Sequence, residues 1–176
     1  MIGQARARVL AAVAGLVMSA AAAFAQTDVR VPPEAAALAG QHPAEYYKSA
    51  ADLFGGGRRD DAVFVFYLGQ LRYRVHLVAR PDLRPDGDPA LFASLQEVMG
   101  RPINEYAFGD IPALARTLEA VLAYDGANPD RFTPPAQFGA AHADIRRGLE
   151  GMRDLILRDA ESIRATRSRN GLENRN

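Results

Sequence analysis

The chain has 176 residues, of which 48% are hydrophobic and 24% are charged, and its formal net charge is zero. This length suits one globular domain, and the balanced charge argues against a protein that binds nucleic acid or an anionic membrane. The chain contains no cysteine, so disulfides and thiolate chemistry are excluded and packing alone has to stabilise the fold.

Residues 1–25 have the pattern of a secretory signal peptide. Two arginines precede an apolar run at residues 9–18, and a small-x-small cleavage site (AFA) occupies residues 23–25. The apolar run is too short to span a bilayer. We therefore expect cleavage before Gln26 and a periplasmic or secreted protein without a membrane anchor. Cleavage removes two arginines and no acidic residue, which leaves 19 basic and 21 acidic side chains.

The first helical pattern follows a short leader. Residues 26–41 contain two adjacent prolines and no sustained hydrophobic period, which predicts a flexible leader with a turn or two of helix at most. From His42 to Phe54 apolar residues recur at three- and four-residue spacing, which predicts a helix. Three glycines end it, and aspartates at positions 60 and 61 favour the start of a second helix.

The segment from Ala62 to Val78 allows two interpretations. Its apolar residues include a helical stripe: Phe64, Leu68, Leu71, Val75 and Val78. Residues 63–67 are also rich in strand formers, and residues 71–77 alternate apolar with polar side chains. A helix is favoured, and a two-stranded hairpin over residues 63–78 is the alternative.

Several positions in this region match a known helical hairpin. They comprise an aromatic pair, a small residue, an apolar pair, a turn glycine, an acidic-acidic-alanine helix start and an aromatic residue: Tyr46, Tyr47, Ala50, Leu53, Phe54, Gly57, Asp60, Asp61, Ala62 and Phe66. With this pattern, residues 43–76 resemble one hairpin of the tetratricopeptide (TPR) family, whose repeat has about 34 residues. Ser49, Gly69 and Arg74 depart from the family pattern, and no second copy follows. The resemblance implies two antiparallel helices and a protein-binding role.

Three further segments follow the hairpin. Asp88 and Pro89 predict the cap and first turn of a helix that ends at Gly100. Residues 101–109 show no hydrophobic period, which predicts a packed, irregular turn between helices. Asp110 then predicts the cap of another helix that ends near Gly126.

The last predicted helix is the longest. With Thr133 as its cap it extends to about Ser168, because apolar residues recur at steps of three and four along this stretch. Glycines at positions 148 and 151 mark a place where it could bend, and residues 170–176 are predicted to be a disordered tail. The expected fold is all-α, with about five helices in one bundle-like domain over residues 42–169.

Residues with a recognisable catalytic or metal-binding pattern are few. The three histidines lie far apart and have no metal-binding spacing, so we expect surface or capping histidines, no metal and no cofactor; a zinc site assembled across the fold is a minor alternative. No serine lies in a nucleophile elbow. Glu105 and Asp110 are acids in the irregular segment, so a hydrolase of cell-envelope polymers is a further alternative.

The sequence therefore favours an exported, non-enzymatic helical protein that binds another protein and that could form a homo-oligomer. A more specific alternative is an immunity-type inhibitor of a secreted toxic enzyme, which would also be small, exported and free of catalytic motifs. We expect the partner to contact the outer face of the hairpin and the irregular segment, through these residues: Arg72, Arg74, Asn104, Glu105, Tyr106 and Asp110.

Overall fold

The computed structural model describes residues 29–176, and the predicted signal peptide lies outside them. Every regular element in this part of the chain is helical, which confirms the all-α prediction. The helices are α1 (Pro33–Ala37), α2 (Ala44–Gly55), α3 (Arg59–Ala79), α4 (Asp88–Leu95), α5 (Arg101–Ala107), α6 (Ile111–Ala127), α7 (Pro135–Arg158) and α8 (Ala160–Arg169), with a π-helical turn (Gln96–Gly100) between α4 and α5. None of these helices combines the length and the apolar character needed to cross a membrane.

Helix α3 lies at the centre of the domain and packs against α2, α5, α6 and α7. Most of its residues are buried, including the aromatic and β-branched run at residues 63–67. A helix surrounded by other helices is apolar on all sides, so the strand formers in this run reflect burial and not a strand. The alternative of a two-stranded hairpin at residues 63–78 is therefore wrong.

The hairpin of α2 and α3 depends on two glycines. Gly57 has a φ of +84° in the turn, where the Arg58 N–H donates to the Leu53 carbonyl at 2.9 Å. At Gly69 the two helices approach so closely that an added Cβ would lie 2.4 Å from the Cβ of Tyr46. Glycine thus stands where the TPR pattern has alanine because a methyl group does not fit.

The segment predicted as an irregular turn is helical. The π-helical turn after α4 leads directly into α5, with Pro102 in the first turn of that helix, so the predicted turn at residues 101–109 is wrong over most of its length. Helix α5 turns Ile103 and Ala107 into the core. Only the residues after Ala107 form a turn before α6.

Helix α6 begins as predicted, whereas the C-terminal helix differs from the prediction. The Asp110 carboxylate accepts the Ala113 N–H at 2.9 Å, which confirms the cap. Thr133 is not the cap of α7, because Pro134 occupies that position and Thr133 is fully buried. The long helix is interrupted at Asp159, where the backbone leaves helical geometry, and it continues as α8. The prediction of one continuous helix to Ser168 is therefore wrong.

Both ends of the described chain contact the domain. In the predicted leader, α1 buries Ala35, and the Tyr46 hydroxyl donates to the Leu38 carbonyl at 2.9 Å. In the predicted tail, the Arg175 N–H donates to the Gly109 carbonyl at 2.6 Å and its guanidinium donates to the Tyr106 carbonyl at 2.7 Å. Residues 170–176 thus turn back toward the end of α5.

We expect Gly69→Ala to lower the free energy of unfolding by about 1–3 kcal/mol, because the added methyl group forces α2 and α3 apart. Gly148→Ala is the matched control, since it lies inside α7 and an added Cβ there meets nothing within 4 Å. The control should leave stability unchanged or raise it by about 0.5–1 kcal/mol. Urea unfolding of both variants measures the difference, and equal midpoints would contradict the close approach at Gly69.

Candidate functional site

The structure places Arg72 inside the protein, where it is 1% exposed. Its Nε donates to Asp125 Oδ1 at 3.2 Å, Nη1 to the Tyr46 hydroxyl at 2.6 Å and Nη2 to the Asn128 carbonyl at 2.7 Å. The prediction that Arg72 lies on an outer face is therefore wrong. Its guanidinium joins helices and has no access to a partner.

Arg74 lies on a different side of α3 and is exposed, as predicted. Its guanidinium carbon lies 5.4 Å from the ring centre of Phe92. The two arginines are separated by two positions in a helix, which places their side chains on well-separated faces. Of these two arginines, only Arg74 can therefore contact a partner.

The other four predicted site residues divide between two cavities on opposite sides of α5. Asn104 and Glu105 line an apolar groove, whereas Tyr106 and Asp110 line a polar pocket. The two carboxylates of the hydrolase alternative thus face different cavities. The cleft with two convergent acids that a glycosidase needs is not formed by Glu105 and Asp110.

The apolar groove has a volume of about 620 Å³ and lies between α5 on one side and α7 and α8 on the other. We call it the α5–α8 groove. Carbon atoms of large apolar side chains form much of its lining: Phe108, Met152, Leu155, Ile156 and Ile163. Its polar lining residues are Asn104, Glu105, Asp159, Ser162, Thr166 and Arg167.

The groove exists because α8 does not close onto α5. The one buried residue of α8 is Arg167, whose Nη2 donates to the Glu173 carbonyl at 2.7 Å. Residues 170–175 stand between α8 and the end of α5, since Arg175 is bonded to the Tyr106 and Gly109 carbonyls. Because these residues keep α8 away from α5, apolar side chains of the groove stay exposed to solvent. Leu155 is 45% exposed.

The polar pocket has a volume of about 570 Å³ and carries both signs of charge. The Tyr106 hydroxyl donates to Asp60 Oδ1 at 2.8 Å, and the Arg175 guanidinium stacks 3.7 Å from the Tyr106 ring centre. Burial, together with the Asp60 carboxylate, raises the pKa of Tyr106. Asp110 uses a carboxylate oxygen to cap α6. The internal contacts of these side chains indicate a structural role.

Two histidines and one aspartate that are distant in sequence come together at the C-terminal end of α3. His76 Nε2 lies 2.7 Å and His42 Nε2 lies 3.4 Å from Asp88 Oδ2, and the candidate ligand atoms all lie within 4.8 Å of one another. Sequence spacing gave no indication of this cluster, because its members come from three separate segments. His42 Nδ1 accepts the Ala44 N–H at the start of α2, as expected for a capping histidine. His76 and His142 are buried, so the expectation of surface or capping histidines is wrong for these two.

The hydrogen bonds of the cluster define which nitrogens carry protons. The Ala44 N–H donates to His42 Nδ1 at 3.1 Å, and Arg80 Nη1, which can only donate, lies 2.8 Å from His76 Nδ1. In both neutral rings the proton must therefore reside on Nε2, which donates to Asp88. A histidine that binds a metal through Nε2 needs an acceptor at Nδ1. Both positions face donors, so the cluster does not fit a metal centre.

Comparison of the chain with protein-family models, with curated proteins and with solved structures finds no match. The TPR-like hairpin therefore stays a local resemblance, and function has to be inferred from the residues and their geometry.

We expect Arg72→Ala to lower the free energy of unfolding by about 3–5 kcal/mol, because it leaves a cavity and removes the donor to three groups, Asp125, the Tyr46 hydroxyl and the Asn128 carbonyl, although Arg146 still pairs with Asp125. Arg74→Ala, two positions along the same helix, should cost less than about 1 kcal/mol, since it removes only an exposed contact with Phe92. Thermal or urea unfolding of the two variants provides the test. Similar losses in both would contradict the buried position of Arg72.

The histidine cluster should make stability depend on pH. The pKa of His76 is lowered because burial disfavours the imidazolium ion, although the hydrogen bond to Asp88 opposes the shift. Burial raises the pKa of Asp88, but hydrogen bonds from His76 and His42 outweigh it, so its pKa lies below the ordinary value. Because the unfolded chain then protonates His76 more readily, the free energy of unfolding falls as the pH drops below about 6.5.

We expect His76→Gln to flatten this loss between about pH 7 and pH 5, because glutamine can donate to Asp88 but does not titrate. Urea unfolding at several pH values measures the slope for the variant and for the unchanged protein. If the two slopes agree, His76 is not the group responsible.

Proposed function

We propose that this protein acts by binding another protein and that the α5–α8 groove is its binding surface. The observation that carries the proposal is the uncovered apolar lining, with Leu155 45% exposed at its edge. Apolar surface that stays in contact with water is favourably covered when a partner binds, and concave, mostly apolar sites are where binding takes place. The groove also contains Asn104 and Glu105, which belong to the predicted partner-binding set.

The chemistry of the groove supports binding more than catalysis. Its lining carries no histidine, and its one buried cation, Arg167, is bonded to residues of the C-terminal tail. Asn104 is engaged as well, since its Oδ1 accepts the Tyr67 hydroxyl at 2.9 Å. Such a surface offers shape and apolar contact, the properties that dominate protein–protein recognition.

The predicted signal peptide supports a partner that is met in the periplasm or outside the cell. An immunity-type inhibitor of a secreted toxic enzyme is one form that this function could take. The identity of a stoichiometric partner distinguishes that form from a role in assembly. A hydrolase is not proposed, because Glu105 and Asp110 line separate cavities.

Two leucines on α7 provide a matched test. Leu155 lines the groove and is 45% exposed, whereas Leu157 is 49% exposed and is not among the groove-lining residues. We expect Leu155→Glu to abolish stoichiometric capture of a protein from periplasmic extract, because a carboxylate in the groove must be desolvated when the partner binds. Leu157→Glu should retain the capture. If both variants retain it, or both lose it while still folded, the groove is not the binding surface.

A further inference from the structure

We propose that the α5–α8 groove binds a single amphipathic α-helix of about four turns that carries basic residues beside its apolar stripe. This inference rests on the proposed function, because it specifies the part of the partner that enters the groove. Three features of the groove support it: the paired main chain of its walls, the length and spacing of its lining residues, and the charges at its edge.

The walls provide almost no main-chain hydrogen bonds to an incoming chain. They are formed by α5, α7 and α8, whose N–H and carbonyl groups are paired within each helix, and at the break the Asp159 N–H donates to the Leu155 carbonyl at 2.9 Å. An extended segment in an apolar groove would bury unpaired main-chain groups, each at a cost of about 1–3 kcal/mol. A helix satisfies its own main chain and avoids this cost.

The length and spacing of the lining also suit a helix. Along α7 and α8 the lining residues run from Met152 to Thr166 and recur every three or four positions: Met152, Leu155, Ile156, Asp159, Ser162, Ile163 and Thr166. At a rise of 1.5 Å per residue this stretch is at most roughly 21 Å long, because the helix is interrupted at Asp159, and that is the length of about four turns of a second helix. Side chains at such spacing form ridges between which those of another helix can pack.

The edge of the groove favours positive charge on the occupant. Glu105 stands on the α5 wall and Asp159 on the opposite wall, and their side chains are 48% and 45% exposed. Each is paired with one arginine, and Arg167 also lines the groove near Glu105. Arg101, however, is shared between Glu105 at 3.5 Å and Glu97 at 3.2 Å. Exposed pairs of this kind are weak, so lysine or arginine on a partner helix can compete for the carboxylates.

A second copy of the chain is a poorer fit to the groove. Large apolar side chains that are exposed on the described residues are scattered over several elements: Val31, Val78, Leu91, Val98, Leu155 and Leu157. Among these exposed side chains, only Leu91 and Val98 lie seven positions apart along one helical stretch, and that pair covers about 10 Å, half the length of the groove. A stable dimer also buries about 800 Å² on each partner, more than one helix-sized groove contributes by itself.

The test is a selection with a defined probe. A phage-displayed library of random 16-residue peptides is panned against the purified protein, and binders that also recognise the Leu155→Glu variant are removed. We expect the enriched peptides to carry apolar residues at i, i+3 or i+4 and i+7 with flanking lysine or arginine, and to become helical on binding, as circular dichroism would show. Enrichment of alternating, proline-rich or acidic sequences, or no groove-dependent enrichment, would overturn the proposal.

The selected peptides also test whether the acidic edge of the groove favours basic residues on the bound helix. Neutralising both edge acids (Glu105→Gln with Asp159→Asn) should weaken binding about fivefold. Asp144→Asn, at an exposed acid that pairs with Arg147 and does not line the groove, should leave the affinity unchanged. If the unchanged protein, the double variant and the control variant bind the peptides with equal affinity, the groove does not select basic residues on the bound helix.

Failure of this inference can be told apart from failure of the proposed function. If partner capture depends on Leu155 but not Leu157, and the selected peptides are not helical, the groove binds proteins by another mode. If sedimentation shows a dimer that Leu155→Glu dissociates, the occupant is a second copy and the helix proposal is wrong. If capture does not depend on Leu155, the proposed function itself fails.

Discussion

The buried pair of Arg72 and Asp125 is the interaction on which the arrangement of the helices depends. Arg72 on α3 bonds to Tyr46 on α2 and to Asp125 on α6, and Asp125 also accepts Arg146 of α7 at 2.9 Å. One charge cluster therefore joins four helices. Charges inside a protein are tolerated only when every partner is in place, because each ion loses its hydration. The pair thus fixes how α3 is rotated about its own axis. It also fixes which faces of α6 and α7 are turned toward α3.

The sequence predicted the helices that are long and strongly periodic. The prediction failed where a helix is short or where burial changes the pattern of apolar and polar residues. Helices α2, α3 and α6 were found from their apolar spacing and caps. Helix α5 was missed because seven residues make only about two turns, too few for a hydrophobic period to appear. The prediction misplaces Arg72, because a charged residue normally indicates a polar face of a helix. Leu68 and Val75, four before and three after it, lie on the same buried side and could have corrected this.

The groove and the histidine cluster could not be predicted, because both depend on contacts between distant segments. His42, His76 and Asp88 come from separate elements that only the packed fold brings together. The groove requires the interruption at Asp159 and the return of residues 170–176 toward α5, and neither has a local sequence signal that was recognised. Asn104 and Glu105 were chosen for a segment thought to be irregular, and they lie in the groove for a different reason, because α5 is a helix with one face turned toward α8.

The two walls of the groove are held by different forces, and this difference bears on how a partner could enter. Helix α5 is anchored by apolar burial of Ile103 and Ala107 and by the bond from Tyr67 to Asn104. Helix α8 fully buries only Arg167, which is bonded to polar groups of the C-terminal tail, and its apolar residues Ala160 and Ile163 are only partly buried against the core. Elements with little apolar burial move at lower free-energy cost than elements that belong to the core. The α8 wall should therefore adjust to the thickness of an incoming helix while α5 and α7 keep their positions.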